Sequence, residues 1–231
     1  MPRQSRFVLP NYPHHIIQRG HNRQAVFAED DDYLYYLDTL QQWKAQLGCK
    51  VYAYCLMTNH VHLVIDPGDD REHLSLLMKR LAGRQTRYVN AMKKRSGSLW
   101  EGRFKSSPVQ ADAYLQACCR YVELNPMRAG MVDDPVSYRW SSFPAKVGRI
   151  KQPRLDLDPF YLSLGKSVAQ RAEKYAIWLR EAIPEEEWRI IRESTQRGQL
   201  TAHDRFAEEL SEKYGRCLAQ RGPGRPRNDK K

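Results

Sequence analysis

The chain has neither a CxxC pair nor an even set of cysteines. Its five, Cys49, Cys55, Cys118, Cys119 and Cys217, lack the spacing of a structural zinc site or a disulfide framework, so they read as reduced thiols. No apolar run approaches the length of a membrane span, and no membrane partner is expected. The start, MPRQSRFVLPNYPHH, is basic but has no apolar core behind it, so it does not read as a signal peptide. A cytoplasmic, nucleoid-associated location is the expectation. Internal repeats are lacking as well. Acid is scarce where base is dense: between Lys79 and Lys105 nine Lys or Arg stand against one acid, Glu101. In a chain of 231 residues and net charge +11, such a concentration suits a phosphate backbone; a solubilising surface is the plain alternative.

What is present organises into alternating elements. HHIIQR (14–19) reads as a strand. The acids Glu29 to Asp32 then open an amphipathic helix to about Gln46, as a positive helix N-terminus favours, and Gly48 stops it. VYAYCLM (51–57) and HVHLVI (60–65), joined by Thr58-Asn59, form a hairpin pattern. A second helix carries Leu74, Leu77, Met78 and Leu81 on one stripe and Arg80, Arg84 and Arg87 on another face. A fourth strand follows at about 103–109, then a helix from near Asp112 to Asn125. The order strand, helix, strand, strand, helix, strand predicts an α+β fold: a ferredoxin-like antiparallel sheet (βαββαβ) with two helices on one face and the other face open, plus an extra helix. The expected division is a domain over 1–145, a linker over 146–165, a helical C-terminal extension over 166–216 and a basic disordered tail over 217–231.

The most informative segment is Asn59-His60-Val61-His62. Strand side chains alternate with period two, so His60 and His62 share a face, about 7 Å apart along the strand. Two such imidazoles can share a divalent metal; an exposed pair on a half-buried strand is the bland reading. On the later helix Tyr121 and Asn125 are four residues apart and share a face. If that helix lies beside the histidines, Asn125 can supply an oxygen and Tyr121 comes near the same ion. Mg²⁺ or Mn²⁺ suits a mixed nitrogen and oxygen set with open positions. The chemistry this allows is phosphoryl transfer from DNA to a tyrosine, aided by a cation because a phenol is a weak nucleophile near neutral pH. Taken alone, Tyr121 reads as a core aromatic and Asn125 as a helix end before Pro126.

TNHVHLVI followed by RYVELNPMRAGMV, with LWEGRFKS (99–106), YRWSSF (138–143) and a GRPR-type tail, resembles the HUH single-strand transposases with one catalytic tyrosine. Within these it is similar to the REP-associated tyrosine transposases, over roughly residues 10–145. The resemblance implies that Tyr121 is the nucleophile and that His60, His62 and Asn125 are metal ligands. It implies single-stranded hairpin DNA from REP-like palindromes as partner, cut to leave a 5′-phosphotyrosine and a 3′-hydroxyl. It also favours a monomer over a dimer.

Further DNA contacts are expected from Arg19, Asn22 and Arg23 at the first turn, although a solvated loop fits them equally. The same role is expected of Arg80, Arg84, Arg87, Arg103 and Lys105, and of Arg225 and Arg227 as a minor-groove arm or a solubilising tail. Trp100 and Phe104 could stack on bases but read better as core. Glu123 faces away from Tyr121 and is not expected to be a general base. The competing function is a nucleic-acid-binding module that does not cut, although HVHLVI places histidines where the stacking aromatics of an RRM sheet would stand.

Overall fold

A computed structural model describes residues 6–150, 154–181 and 184–215, without the side chains of residues 112 and 113. The chain runs through β1 (His14–Arg19), α1 (Asp30–Leu47), β2 (Lys50–Met57), β3 (His60–Asp66), α2 (Arg71–Met92), β4 (Lys105–Pro108) and α3 (Ala111–Glu123). Then come α4 (Asn125–Arg128), α5 (Phe143–Lys146), α6 (Pro159–Ser163), α7 (Val168–Arg180), α8 (Glu185–Arg197) and α9 (Asp204–Tyr214). The strands form one antiparallel sheet in the order β2-β3-β1-β4, the expected ferredoxin-like arrangement.

Local chemistry explains the boundaries. The Asp32 carboxylate accepts from the backbone N–H groups of Ala28 (2.7 Å) and Glu29 (3.1 Å), which closes the start of α1, and Gly48 ends the helix with φ of 65°. Asp70 caps α2 by accepting from Glu72 N at 2.7 Å. Register fixes the two faces of the sheet. Ile17 pairs with His62, Arg19 with His60 and Ser107 with His15, so these side chains share one face with Cys55 and Met57. Ile16, Leu56, Val61 and Leu63 point the other way into the main core, where α1 and α2 pack side by side.

The histidine face, expected to stay open, is covered. α3 lies across β2 and β3, and α8 lies across β4 and β1. The physical reason is apolar: Tyr121, Val122 and Ile191 are buried in the main core and Trp188 packs against it. Both sheet edges are covered too. Leu56 N bonds Trp140 O at 2.9 Å and Ser142 N bonds Tyr54 O at 2.9 Å along β2, so the YRWSSF segment blunts that edge. On β4, Thr201 N bonds Pro108 O and Gln110 N bonds Thr201 O, each at 2.9 Å.

The described part of the expected linker is anchored rather than free. Lys146 and Asp158 are buried, Asp156 takes Lys44 Nζ at 2.7 Å, and Tyr161 donates to Lys146 O at 2.7 Å. These partners lie far apart in sequence, so no local pattern reveals them. α9 closes on the N-terminal segment through Leu9, Leu200, Ala207 and Leu210.

Candidate active site

The site is built where β3, β1, α3 and α8 meet. β3 carries the two histidines on the face the strand period predicts. Their rings lie 5.0 Å apart between centroids, and His62 is only 4% exposed. Neither is free to turn. His60 Nδ1 contacts Asn59 Oδ1 at 2.6 Å, while Asn59 Nδ2 donates to Arg23 O at 3.2 Å. The amide therefore presents its oxygen to the ring, and His60 Nδ1 carries the proton. His62 Nδ1 lies 3.1 Å from His15 Nε2. Among the described residues neither Nε2 is paired, which is the state a metal-binding imidazole needs.

Gly20 holds this loop tight. A Cβ there would stand 2.4 Å from Gln24 O and 3.3 Å from Asn59 O, so only glycine lets the chain pass beneath the start of β3. Asn22 and Arg23 adopt left-handed backbones there, with φ of 49° and 57°.

α3 delivers the phenol. The ring of Tyr121 lies 5.8 Å from that of His62 and 5.3 Å from that of His15, and Trp188 of α8 covers it at 4.8 Å. Tyr121 is 5% exposed. The helix ends at Glu123 rather than at Asn125, and Asn125 opens α4 with Pro126 in its first turn. Asn125 Nδ2 donates to Tyr121 O at 2.7 Å, so the amide nitrogen is engaged within its own helical turn.

Burial governs the titrations. It pulls His60 down to about 4, helped by the charge of Arg19, and pulls His62 well below the ordinary imidazole value. Both rings are neutral at physiological pH, as ligation demands. Burial pushes the Tyr121 phenol up, and the positive charges of Arg128 and Arg192 oppose it.

His60, His62 and the Asn125 amide offer neutral nitrogen and oxygen donors, a chemistry that fits a divalent cation of the Mg²⁺ or Mn²⁺ type. Among the described residues no three His, Cys, Asp or Glu side chains group as a metal cage.

The expected DNA contacts divide. Arg19 is exposed on the histidine face, and Asn22 and Arg23 sit exposed on the adjoining loop. Arg103 and Lys105 are exposed around the start of β4, and Arg87 is exposed on α2. Arg80 and Arg84 are not brought to the histidines: Arg80 lies over the Trp43 ring at 4.5 Å and Arg84 donates to Gln42 at 2.6 Å, both on α1 across the sheet. Arg80 remains exposed while its guanidinium lies on that ring, a contact that a basic stripe in sequence cannot disclose. Arg225 and Arg227 lie outside the described residues. Trp100 and Phe104 are buried, as read. Glu123 is fully buried in a network with Lys146, Ser142 and Tyr175, and takes no part near the phenol.

Sequence reading missed His15 and Thr195 beside His62, and Trp188, Arg128 and Arg192 around the phenol. His15 alone left a signal, as a polar residue at an inward parity of β1. The others reach the site from elements whose docking is not local.

Comparison with known proteins points one way. The family model described as "Transposase IS200 like" matches residues 9–125. The chain is 21% identical over 151 residues to a Haemophilus influenzae protein named as a REP-associated tyrosine transposase, covering 58% of this chain and 86% of that one. Its fold is similar, with TM-score 0.56 and 16% identity, to a solved REP-associated tyrosine transposase bound to a REP hairpin; the likeness covers 68% of this chain and 91% of the other.

Proposed function

The chain belongs to the IS200-like transposase family, and from that premise we propose that it cuts and rejoins single-stranded DNA beside REP-like hairpins through a phosphotyrosine on Tyr121. The observation that carries this reading is the approach of the Tyr121 ring to His62, 5.8 Å between centroids, beside a pair of imidazoles whose Nε2 atoms have no partner among the described residues.

In the proposed reaction the phenol oxygen forms a bond to the scissile phosphorus while the bond to the 3′ oxygen breaks. The phenol proton leaves and the 3′ oxygen gains one, giving a free 3′-hydroxyl and a 5′-phosphotyrosine. The ester conserves the energy of the cut bond, so a second 3′-hydroxyl can reverse the step onto another strand. His60, His62 and Asn125 would hold a divalent cation. When bound, that cation polarises the phosphate and steadies the leaving oxygen. Arg128 and Arg192 bring positive charge to the side of the phenol. Arg19, Asn22, Arg23, Arg87, Arg103 and Lys105 supply backbone affinity from exposed positions.

A single copy suffices for this site. α3 is tied to its own chain by the buried contacts of Glu123 to Lys146 (3.2 Å) and Tyr175 (2.6 Å), which supports a monomer acting with its tyrosine in cis. No helix among the described residues is long and apolar enough to cross a membrane, and we assign the protein to the nucleoid.

The test uses labelled single-stranded hairpin DNA with Mn²⁺ or Mg²⁺. Wild type should cut it; His60→Ala and His62→Ala should abolish cutting while a mobility shift shows DNA still bound. Binding without cutting by wild type would leave a non-catalytic binding module as the function.

A further inference from the structure

We infer that His15 and Thr195 are positioning residues that set the ring tautomer of His62, so that the C-terminal helix α8 controls the competence of the cation site. The inference rests on the reading of His62 as a ligand. It adds two residues to that site, one of them 70 positions beyond the end of the family match.

The hydrogen bonds fix the protons one at a time. Thr195 Oγ donates its hydroxyl proton to Ile191 O, 2.8 Å away and one turn back in α8. That oxygen can then only accept from the imidazole beside it, His15 Nδ1, at 2.7 Å. With the His15 proton on Nδ1, its Nε2 is a bare acceptor. The atom facing it at 3.1 Å is His62 Nδ1, which must therefore carry the proton of its own ring. His62 Nε2 is left with its lone pair, the one form in which it can bind a cation.

The ring geometry agrees. The planes of His15 and His62 are only 15° apart with centroids 5.4 Å apart, as for two imidazoles joined edge to edge through a nitrogen pair rather than stacked. His15, Thr195 and His62 are 0%, 0% and 4% exposed, so water does not compete for these bonds. His60 gets the same service from Asn59, which is its neighbour in sequence. His62 gets it from β1 and α8. A ligand held through a chain of hydrogen bonds loses affinity when an outer member is removed, by about 10- to 100-fold.

The test uses the full-length chain and needs no DNA. Long-range ¹H–¹⁵N correlation spectra of the metal-free protein report which nitrogen of each imidazole is protonated, and Mn²⁺ titration by calorimetry reports affinity. In wild type the His62 ring should be protonated at Nδ1 alone. Thr195→Val removes the acceptor and keeps the shape; it should shift His62 toward the Nε2-protonated form and weaken Mn²⁺ binding about 10- to 100-fold. Thr195→Ser restores the oxygen and should restore both readouts. A wild-type His62 protonated at Nε2 overturns the inference, and that spectrum is informative even if Thr195→Val does not fold. Unchanged Mn²⁺ affinity in folded Thr195→Val overturns it as well. Failure of DNA cutting with the tautomer pattern intact counts against the proposed reaction and leaves the relay standing.

Discussion

Lys146→Met removes the cation from the buried network that ties the tyrosine helix to the C-terminal extension. Lys146 Nζ stands 3.2 Å from Glu123 Oε1, 3.6 Å from Asp158 Oδ2 and 3.0 Å from Tyr175 Oη, and its side chain is fully buried. Burial disfavours the ammonium, but the nearby negative charges, Glu123 foremost and Asp158 with it, together outweigh burial and raise it above its usual value. Without it the Glu123 carboxylate keeps, among the described residues, the hydroxyls of Ser142 and Tyr175. Breaking a buried pair by deleting one partner costs about 3–5 kcal/mol, because the other charge stays behind uncompensated. Against a total stability of about 5–15 kcal/mol that is a large fraction. The urea midpoint should fall by roughly 1 to 2 M. The double variant Glu123→Gln/Lys146→Met removes both charges and should recover about 2 kcal/mol of the sum of the single losses. A Lys146→Met protein within about 1 kcal/mol of wild type, or a strictly additive cycle, would refute the account of this network.

Other outcomes follow from the same structure. His14 is buried, donates through Nδ1 to Tyr12 O (2.8 Å) and accepts from Leu9 N (3.2 Å), and burial lowers its pKa to about 4. Since the unfolded value is higher, the unfolded chain binds more protons between the two. Stability is full above pH 6.5 and is lost as pH falls toward 4, by about 2 kcal/mol from this residue at pH 5. His14→Gln can donate and accept without titrating, so its unfolding should depend less steeply on pH over that window; an unchanged slope contradicts the assignment. Arg128→Ala and Arg192→Ala should each slow cutting by about tenfold, or about 1.4 kcal/mol, with hairpin binding little changed. Equal loss of binding and rate would place them in general phosphate contact instead. Trp188→Ala uncovers the Tyr121 ring, 4.8 Å away, and should speed tyrosine attack at saturating DNA; a slower reaction would mean that Trp188 orients the phenol rather than shields it.

Much of the fold was legible because its signals are local. Alternation in HVHLVI placed His60 and His62 on one face, the spacing in α2 marked its apolar stripe, and Gly48 marked the end of α1 by the chemistry of caps. The meeting of Tyr121 with His62 was also foreseen, from a shared helix face and a family resemblance. What escaped reading is long-range. Thr195 lies 180 residues from the His15 that it bonds, and Asp156 lies 112 from Lys44. Contacts at such separations leave no periodicity. The closure of the histidine face by α8 escaped for that reason: its buried residues, Ile191, Ser194 and Thr195, show that a stripe exists but not what it covers. The neighbours of Arg80 and Arg84 on α1 also escaped, because charge density reads the same whether or not a guanidinium lies over a tryptophan.

The central claim is that the Tyr121 oxygen becomes bonded to DNA. Its most direct test is mass spectrometry of the protease-digested covalent complex formed on hairpin DNA with Mn²⁺. The account predicts a nucleotide mass on the peptide containing Tyr121, and no adduct from Tyr121→Phe. A nucleotide on any other residue, or cutting that continues undiminished in Tyr121→Phe, would contradict it.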